Sequence, residues 1–347
     1  MRFASDNSGP VHPEIMKAIE TANSGWDLAY GNDELTQRAA DKVRDVLEAP
    51  DASVFFVPTG TAANALLLAT LARPFQTVFC TPEAHIHEDE CNAPEFFTGG
   101  AKLTLIPSKG AKMCPEALQN ALRATSDGDL HHPQPGPVSL TQLSERGTLY
   151  SLEEIRNLSD VAHRYGVKVH MDGARFANAV AAEGCSAADM TWRAGIDALS
   201  FGGTKNGCMA VEAAVLFDPA LARDFELYRK RAGHLFSKQR YLAAQVDTYL
   251  SHDLWFRMAS DANSAAERLE TCLRANGVDI LHTRGGNMLY ASLSEKAHRR
   301  LREAGATYAA AEHGTGDGQG RVVARLVCDW SCPDTHIDQF ADIIAAG

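Results

Sequence analysis

Lys205 has the surroundings expected of a lysine that reacts with carbonyl groups. It follows a short apolar run, residues 198–201, and lies among small and polar residues in the segment GGTKNG. A lysine whose surroundings favour the neutral amine can attack a carbonyl and form an imine. The glycines beside it predict room for a bulky molecule. Considered alone, an exposed lysine with no chemical role is the simpler interpretation.

A second group of residues has the chemistry of an anion site. After an apolar run at residues 53–57 come Thr59, Gly60 and Thr61, and the residues that follow have a helical pattern. Two hydroxyls, a flexible glycine and the free N–H groups of a helix start suit a phosphate. Threonine is also an ordinary helix cap, so this segment alone leaves both interpretations open.

After the apolar run at residues 77–80 comes a segment with two histidines, His85 and His87, and four acids that include Glu90. This composition suggests a metal site. The His-x-His pair has no obvious third ligand, however, and we predict no metal here. The flat imidazole of His85 could instead cover an aromatic ring.

Asp172 and Arg175 follow another apolar run, at residues 167–171. Alone, they predict a capping aspartate paired with an arginine. In open α/β sheets, however, ligands bind beyond the carboxyl ends of the strands, so the four segments are expected to converge. An anion site, a carboxylate, a flat ring and a lysine are together what pyridoxal 5′-phosphate requires. The carboxylate would keep the pyridine nitrogen protonated, because a neighbouring negative charge stabilises the cationic form.

The elements that must position these residues alternate in the manner of an α/β fold. Short apolar runs and amphipathic stretches follow one another between residues 53 and 217, which is typical of β-α units around a mainly parallel sheet. Seven strands are predicted, at residues 53–57, 77–80, 103–106, 138–140, 167–171, 198–201 and 211–217. Helices are predicted at residues 62–71, 115–124 and 152–165, the last with Ser151 as its N-cap.

The pattern changes near residue 250. A long helix at residues 259–275 is followed by strands at 278–281, 287–293, 306–310 and 321–328, with helices at 294–303 and at the end of the sequence. We therefore predict a large domain at residues 1–249, which includes an N-terminal arm, and a small α+β domain at residues 250–347. A glycine-rich run at residues 314–320 lacks the spacing of a phosphate-binding loop and is predicted to be a turn.

Composition excludes several classes of partner. The 347 residues carry 33 Lys and Arg against 44 Asp and Glu, a formal charge of −11, which disfavours nucleic acids and anionic membranes. The apolar stretches are far shorter than the ~20 residues that cross a bilayer. The first residues lack the pattern of a secretory signal, so we expect a cytoplasmic protein. The eight scattered cysteines are expected to be reduced thiols, mostly in the core.

The same segments, in order along nearly the whole chain, resemble the low-specificity L-threonine aldolases. These are pyridoxal-phosphate enzymes of the aspartate-aminotransferase fold, fold type I, with a large mainly parallel seven-stranded sheet domain and a smaller C-terminal domain. The most specific element is Asp-Gly-Ala-Arg at Asp172, followed by the lysine. The segments that carry the resemblance are SD at Ser5, YGND at Tyr30, PTGT at Pro58, AH at Ala84, HMDGAR at His170, GTK at Gly203 and NMLY at Asn287.

The resemblance implies a role for each residue. Lys205 forms the Schiff base with the cofactor, and His85, also a catalytic candidate, stacks on its ring. Asp172 pairs with the pyridine nitrogen, and Arg175 acts beside cofactor and substrate. The residues that hold the phosphate are Thr59, Gly60 and Thr61.

The resemblance also assigns residues to the substrate. Ser5 and Arg325 would bind its carboxylate, since a planar guanidinium suits bidentate binding of that group. A solvated arginine at the edge of a sheet is the alternative for Arg325. Active sites of this fold lie between subunits, which implies a homodimer or homotetramer. Tyr30 and a basic residue of residues 229–231 would reach a neighbour's site, unless the basic residues form only a solvated turn.

The implied activity is that of an aldehyde-lyase. It is the retro-aldol cleavage of L-threonine, L-allo-threonine and other β-hydroxy-α-amino acids to glycine and an aldehyde. The alternatives are a β-eliminating lyase or an aminotransferase of the same fold, or a cofactor-binding protein without turnover. Many relatives carry a second histidine in the segment that here reads LTQLSERG, residues 140–147. The acceptor of the hydroxyl proton is therefore open between His85, Glu90 and a bound water.

Overall fold

The computed structural model describes residues 1–126, 128–310 and 320–346. Within these ranges the helices, numbered along the chain, are α1 (Pro13–Ala22), α2 (Glu34–Val46), α3 (Gly60–Leu71), α4 (His85–Glu88), α5 (Ala93–Phe97), α6 (Pro115–Thr125), α7 (Leu152–Arg164), α8 (Phe176–Glu183), α9 (Ala187–Met190), α10 (Ala222–Arg231), α11 (Arg240–Tyr249), α12 (Leu254–Ala275), α13 (Glu295–Glu303) and α14 (Asp334–Ala345). The strands are β1 (Ser53–Val57), β2 (Gln76–Cys80), β3 (Lys102–Leu105), β4 (Ser108–Lys109), β5 (Lys112–Met113), β6 (Gln134–Thr141), β7 (Val169–Gly173), β8 (Ala198–Gly202), β9 (Glu212–Leu216), β10 (Asp279–Ile280), β11 (Met288–Ser294), β12 (Ala309–Ala310) and β13 (Arg321–Val327).

A large sheet with the strand order β1-β9-β8-β7-β6-β2-β3 forms the centre of the described chain. Its strands pair in parallel except β9, which is antiparallel to both β1 and β8. The sequence-based prediction of a mainly parallel sheet of seven strands is confirmed. Because β9 alone is reversed, the carboxyl ends of β1, β2, β6, β7 and β8 lie at the same edge as the beginning of β9.

The helices that flank the sheet follow from simple sequence features. α3 is apolar on every side, and most of its residues are buried between the sheet and other helices. α7 begins with a capping box, in which the Ser151 hydroxyl accepts the Glu154 N–H and the Glu154 carboxylate accepts the Ser151 N–H. Gly166, just past its end, has a φ of +69°. The predicted cap at Ser151 is confirmed.

A smaller antiparallel sheet with the strand order β10-β11-β13-β12 lies in the C-terminal part of the described chain. Its apolar cluster includes Phe3, whose N–H bonds to Thr307 O at 2.8 Å and whose carbonyl accepts the Val327 N–H at 3.0 Å. α12 begins at Leu254, before the predicted start at residue 259, and contributes to the apolar clusters of both sheets. The domain boundary between residues 249 and 250 stays a prediction.

Three further predictions concern the cysteines, membrane spans and the glycine-rich run. All eight cysteines lie within the described residues as free thiols, but only Cys80, Cys208 and Cys328 are buried. The expectation that most lie in the core was wrong, because residues such as the exposed Cys91 occupy short surface elements. Among the described helices, none has the length and apolarity needed to cross a membrane. Of the predicted glycine-rich turn, residues 314–319 lie outside the described residues.

Candidate active site

The shared edge of the large sheet opens into a cavity of about 390 Å³. This volume lies within the range of small-molecule sites in proteins. The residues predicted for the cofactor all contribute to its wall, although they come from four separate segments of the chain. They are Thr59, Gly60, Thr61, His85, Asp172, Arg175 and Lys205. The structure thus brings together the residues for which the sequence predicted a common ligand.

The start of α3 forms the end of the cavity that suits an anion. The Thr59 hydroxyl accepts the Ala62 N–H at 3.2 Å, so Thr59 is a helix cap. The first N–H groups of any helix have no acceptor within the helix. At Gly60 an added Cβ would meet no atom within 4 Å, so the helix start faces open space. The N–H groups at this helix start and the Thr61 hydroxyl on the cavity wall are therefore suited to binding an anion.

Asp172 lies near the end of β7 and is held rigidly. Its carboxylate accepts Asn64 Nδ2 at 2.9 Å and the Ala174 N–H at 3.0 Å, and the residue is buried. The Asn64 side-chain oxygen in turn accepts the Ser200 hydroxyl at 2.7 Å. Asn64, on α3, therefore orients the carboxylate, a role that was not predicted from the sequence. A buried carboxylate fixed in this way can hold a cationic ring nitrogen.

His85 pairs with a buried acid behind it. Its Nδ1 lies 2.8 Å from Glu90 Oε1, which also accepts Asn64 Nδ2 at 2.8 Å. The hydrogen bond to Glu90 raises the pKa of His85, and burial raises the pKa of Glu90. Ligand atoms of His85, Glu90 and Asp172 lie within 4.8 Å of one another, although the Asn64 amide already serves both carboxylates. The absence of a metal stays a prediction.

Lys205 lies in a helical turn directly after β8. Burial lowers the pKa of its ammonium, and the Arg175 charge acts in the same direction, which favours the neutral amine that reacts with a carbonyl. The neighbouring glycines do not make room for a ligand, as the sequence had suggested. A Cβ at Gly202 would lie 2.5 Å from Ala174 O, and one at Gly203 would lie 2.7 Å from Val211 O. The lack of a side chain at Gly202 and Gly203 instead lets the neighbouring backbone approach closely. The expectation that these glycines make room for a ligand was therefore wrong.

Glu212, at the start of the reversed strand β9, is a wall residue that sequence reasoning missed. It is buried, accepts the Gly203 N–H at 2.8 Å and lies close enough to Lys205 for their charges to interact. Burial raises the pKa of Glu212 to about 7. Nothing in the run of apolar residues around it indicates this position, because it depends on β9 being antiparallel.

Arg175 is paired with Asp6 across the molecule. Its Nε donates to Asp6 Oδ2 at 2.7 Å and its Nη2 to Oδ1 at 3.0 Å. Asn287 adds a third donor to the same carboxylate at 3.1 Å. Burial raises the pKa of Asp6, but the charges of Arg175 and Lys205 and the hydrogen bonds from Arg175 and Asn287 together outweigh it, so the pKa is lowered overall. The pair joins the N-terminal segment to the end of β7.

We expect Asp6→Ala to lower the free energy of unfolding by about 3–5 kcal/mol, because it leaves the buried Arg175 charge without its partner. Urea unfolding at neutral pH measures this loss. Since the pKa of Asp6 is lowered on folding, the contribution is complete above the ordinary aspartate pKa and disappears as the pH falls below it. Glu226→Gln, in the exposed pair with Arg223, is the control and should cost less than about 1 kcal/mol. Equal losses in both variants would contradict this prediction.

Ser5, which is next to Asp6 in the chain, and Arg325 do not line the cavity. The Ser5 hydroxyl accepts the Asn7 N–H at 3.1 Å, and Asn7 does line the cavity. Arg325 Nη2 donates to Ala4 O at 3.3 Å. Its Nε is buried and has no hydrogen-bond partner among the described residues. The roles of Ser5 and Arg325 in binding substrate therefore stay predictions.

Tyr30 lies away from the cavity in this single chain. Its side chain is exposed and lines a separate cavity of about 330 Å³ together with Arg229 and Gln239. Arg229 Nε and Gln239 Oε1 are buried there without hydrogen-bond partners among the described residues. Tyr30 could contribute to an active site only in another copy of the chain, and this stays a prediction.

Comparisons with known proteins agree with the geometry. The sequence profile of the beta-eliminating lyase family matches residues 2–296. The low specificity L-threonine aldolase of Pseudomonas sp. strain NCIMB 10558 is 40% identical over 346 residues, which are 99% of this chain and 97% of that protein. The enzyme of the same name from Pseudomonas aeruginosa is 41% identical over 343 residues, covering 99% of this chain and 95% of that one.

Solved structures give the same result. A threonine aldolase from Leishmania major superposes with a TM-score of 0.93 at 26% identity, covering 99% of this chain and 98% of that one. A serine palmitoyltransferase from Sphingomonas wittichii shares the fold, with a TM-score of 0.72 at 15% identity over 100% of this chain and 86% of that one. With matches across nearly its whole length, the chain belongs to the beta-eliminating lyase family and, within it, to the low-specificity L-threonine aldolases.

Proposed function

We propose that the protein is a pyridoxal 5′-phosphate-dependent aldehyde-lyase that cleaves β-hydroxy-α-amino acids to glycine and an aldehyde. The substrate class includes L-threonine, L-allo-threonine and related amino acids with aryl side chains. The observation that carries this proposal is the convergence of Lys205, Asp172, His85 and the start of α3 on one cavity. Each of these groups matches a different part of the cofactor, and two close relatives in sequence are named for this activity.

The residues of the cavity fit the cofactor. The open start of α3 suits the phosphate, and the fixed carboxylate of Asp172 suits the pyridine nitrogen. Lys205, with its lowered pKa, suits the aldehyde, and the imidazole of His85 lies on the same wall. When bound, pyridoxal 5′-phosphate accepts the electron pair of the bond that breaks. The remaining work, which is orientation and proton transfer, belongs to the side chains around it.

Orientation decides which bond of an amino acid is broken. Aldol cleavage requires the Cα–Cβ bond to be aligned for reaction, so a fixed grip on the substrate carboxylate selects this chemistry. Arg325 and Ser5 supply that grip in our proposal. In support of it, Arg325 Nε is buried without a partner in the described chain, and Ser5 precedes the wall residue Asn7. His85, which is held by Glu90, lies on the cavity wall.

Arg325→Gln should raise the KM for L-threonine by about 10- to 100-fold, because a charged hydrogen bond to a carboxylate contributes about 1.5–3 kcal/mol. Steady-state kinetics with aldehyde detection measure the change. Arg321→Gln is the matched control on the same strand, since Arg321 is the first residue of β13 and bonds to Ser292 on β11 and Asp279 on β10. An unchanged KM in Arg325→Gln would remove this residue from the substrate site.

We also propose that the active enzyme is a homodimer or homotetramer with its sites between subunits. A continuous exposed segment carries Trp26, Leu28 and Tyr30, three large apolar or aromatic side chains. The unpartnered buried atoms of Arg229 and Gln239 lie in the cavity that Tyr30 lines. Contact with a second copy would cover the apolar side chains. The cytoplasmic location stays a prediction from the sequence.

The absorbance spectrum with and without L-threonine, coupled to aldehyde detection, tests the function. The purified protein should show the visible band of a lysine-bound cofactor, and added L-threonine should change that band and release acetaldehyde. A β-eliminating lyase would release a keto acid and ammonia, and an aminotransferase would require an amino acceptor. A visible band without turnover would identify a binding protein instead.

A further inference from the structure

Glu145 follows β6 at the same edge of the large sheet and lines the cavity with Lys205 and His85. Its position is fixed by three parts of the chain. Oε1 accepts the His85 N–H at 2.8 Å and the Thr141 hydroxyl at 2.8 Å. The Glu145 backbone carbonyl accepts the Tyr290 hydroxyl at 2.8 Å. The carboxyl group is therefore held in one orientation on the cavity wall.

The second carboxyl oxygen of Glu145 is left without a donor. Oε2 is buried and has no hydrogen-bond partner within the described residues. A buried acceptor without a partner is unfavourable for the folded protein. Such an atom, in a residue that lines a binding cavity, is explained if the donor arrives with the ligand. A β-hydroxy-α-amino acid carries a suitable donor in its hydroxyl group.

The other acids and bases of the site are less suited to accept a proton. Glu90 does not line the cavity, and its Oε1 already binds both His85 and Asn64. His85 Nδ1 is occupied by Glu90, and its raised pKa favours the imidazolium, which donates rather than accepts. Asp172 is held by Asn64 and suits the cofactor nitrogen. Glu145 alone among these residues combines a place on the wall with an oxygen that has no donor.

We propose that Glu145 accepts the proton of the substrate β-hydroxyl as the Cα–Cβ bond breaks, an inference that rests on the proposed function. The O–H bond breaks and its proton passes to the Glu145 carboxylate, while the C–O bond becomes the C=O bond of the aldehyde. The electron pair of Cα–Cβ, which bound pyridoxal 5′-phosphate would take up, ends in the new C–H bond when Cα takes up a proton to give glycine. Substrate and products balance without an oxidant or reductant.

The titratable groups around Glu145 are consistent with this role. Burial raises the pKa of Glu145 to about 7. The hydrogen bonds from Thr141 and from the backbone lower this pKa, and the negative charge of Asp172 raises it further. Burial also raises the pKa values of the neighbouring Cys80 and Tyr150, so both stay neutral near pH 7. A base is most effective when its pKa lies near the working pH.

Glu145→Gln tests the inference, because its amide oxygen can still accept from His85 and Thr141. We expect kcat/KM for L-threonine to fall by about 10²- to 10⁴-fold. Exchange of the glycine α-proton with D₂O requires no hydroxyl proton acceptor, and it should stay within a few-fold of the wild type. The visible cofactor band should also be unchanged. Glu83→Gln, on the segment before α4 and outside the cavity wall, is the matched control and should behave as the wild type.

The pH dependence separates a base from a merely structural residue. The wild-type kcat/KM should rise with pH to a plateau above about 7, because the carboxylate is the active form. Thr141→Val removes a hydrogen bond that lowers the pKa of Glu145. In this variant the midpoint of the rise in kcat/KM should therefore move to higher pH. In cofactor-free protein, the ¹³C resonance of the Glu145 carboxyl should titrate at the same pH. In Glu145→Gln, kcat/KM should no longer show this rise with pH.

The outcomes are distinct. If the wild type does not cleave L-threonine, the proposed function fails and the inference fails with it. If the wild type cleaves it and Glu145→Gln is equally fast, only the inference is overturned. Loss of cleavage in Asp89→Asn, at the exposed rim of the cavity, together with full activity in Glu145→Gln would assign the proton to Asp89 instead. Parallel loss of cleavage and of glycine exchange in Glu145→Gln would also overturn the inference.

Discussion

Replacement of Lys205 by alanine should lower the rate of L-threonine cleavage at least about a thousandfold, since it removes the group that holds the cofactor covalently. The reason lies in the surroundings of Lys205. The amine lies in a buried turn after β8, where burial and the Arg175 charge lower its pKa. No other lysine lines the cavity within the described chain. Aldehyde release and the visible absorption spectrum measure the effect.

Lys17→Ala is the matched control, because Lys17 is exposed on α1 and does not line the cavity. It should keep both the visible band and the wild-type rate. Lys205→Ala should lose the band of lysine-bound cofactor even where it still retains cofactor noncovalently. Full activity in Lys205→Ala would contradict the assignment of this residue and, with it, the chemistry proposed for the cavity.

The second large effect is expected for Asp172→Asn. This change keeps the size of the side chain but removes the negative charge that faces the cavity beside Asn64. Loss of a preorganised charged group from an active site lowers kcat by about 10²- to 10³-fold. The lysine-bound cofactor should still form, because Lys205 and the start of α3 are unchanged. In this variant the visible band should therefore remain, while the rate of aldehyde release falls.

Asp45→Asn on the exposed side of α2 provides the control for Asp172→Asn. Both variants lose one carboxylate, but only Asp172 lines the cavity. Thermal unfolding of the two proteins checks that a lost rate does not reflect a lost fold. A rate in Asp172→Asn equal to that of the control would show that the carboxylate does not assist the reaction.

Sequence patterns predicted the sheet and most of the cofactor site for a physical reason. A parallel sheet places the carboxyl ends of its strands at one edge. Residues that follow different strands in the sequence are therefore expected to lie near one another. Lys205, Asp172, His85 and residues 59–61 were predicted in this way. The structure places all of them on one cavity wall.

Residues whose position depends on long-range packing were not assigned in advance. Glu145 is held in the site by the N–H of His85, which is 60 residues away in the sequence, and Glu212 faces the site only because β9 is reversed. Asp6 pairs with a residue that is distant in sequence. Gly202 and Gly203 were interpreted as space for a ligand, whereas they allow neighbouring backbone to approach. Such contacts are properties of the assembled fold, and local patterns do not contain them.

Cleavage of L-threonine labelled with ¹³C at both Cα and Cβ reports which bond of the substrate is broken. We expect glycine labelled at Cα and acetaldehyde labelled at its carbonyl carbon, in equal amounts and without ¹³C–¹³C coupling in either product. A keto acid that retains the coupling between its labelled carbons, together with released ammonia, would show that the Cα–Cβ bond survives and that the protein is not an aldolase.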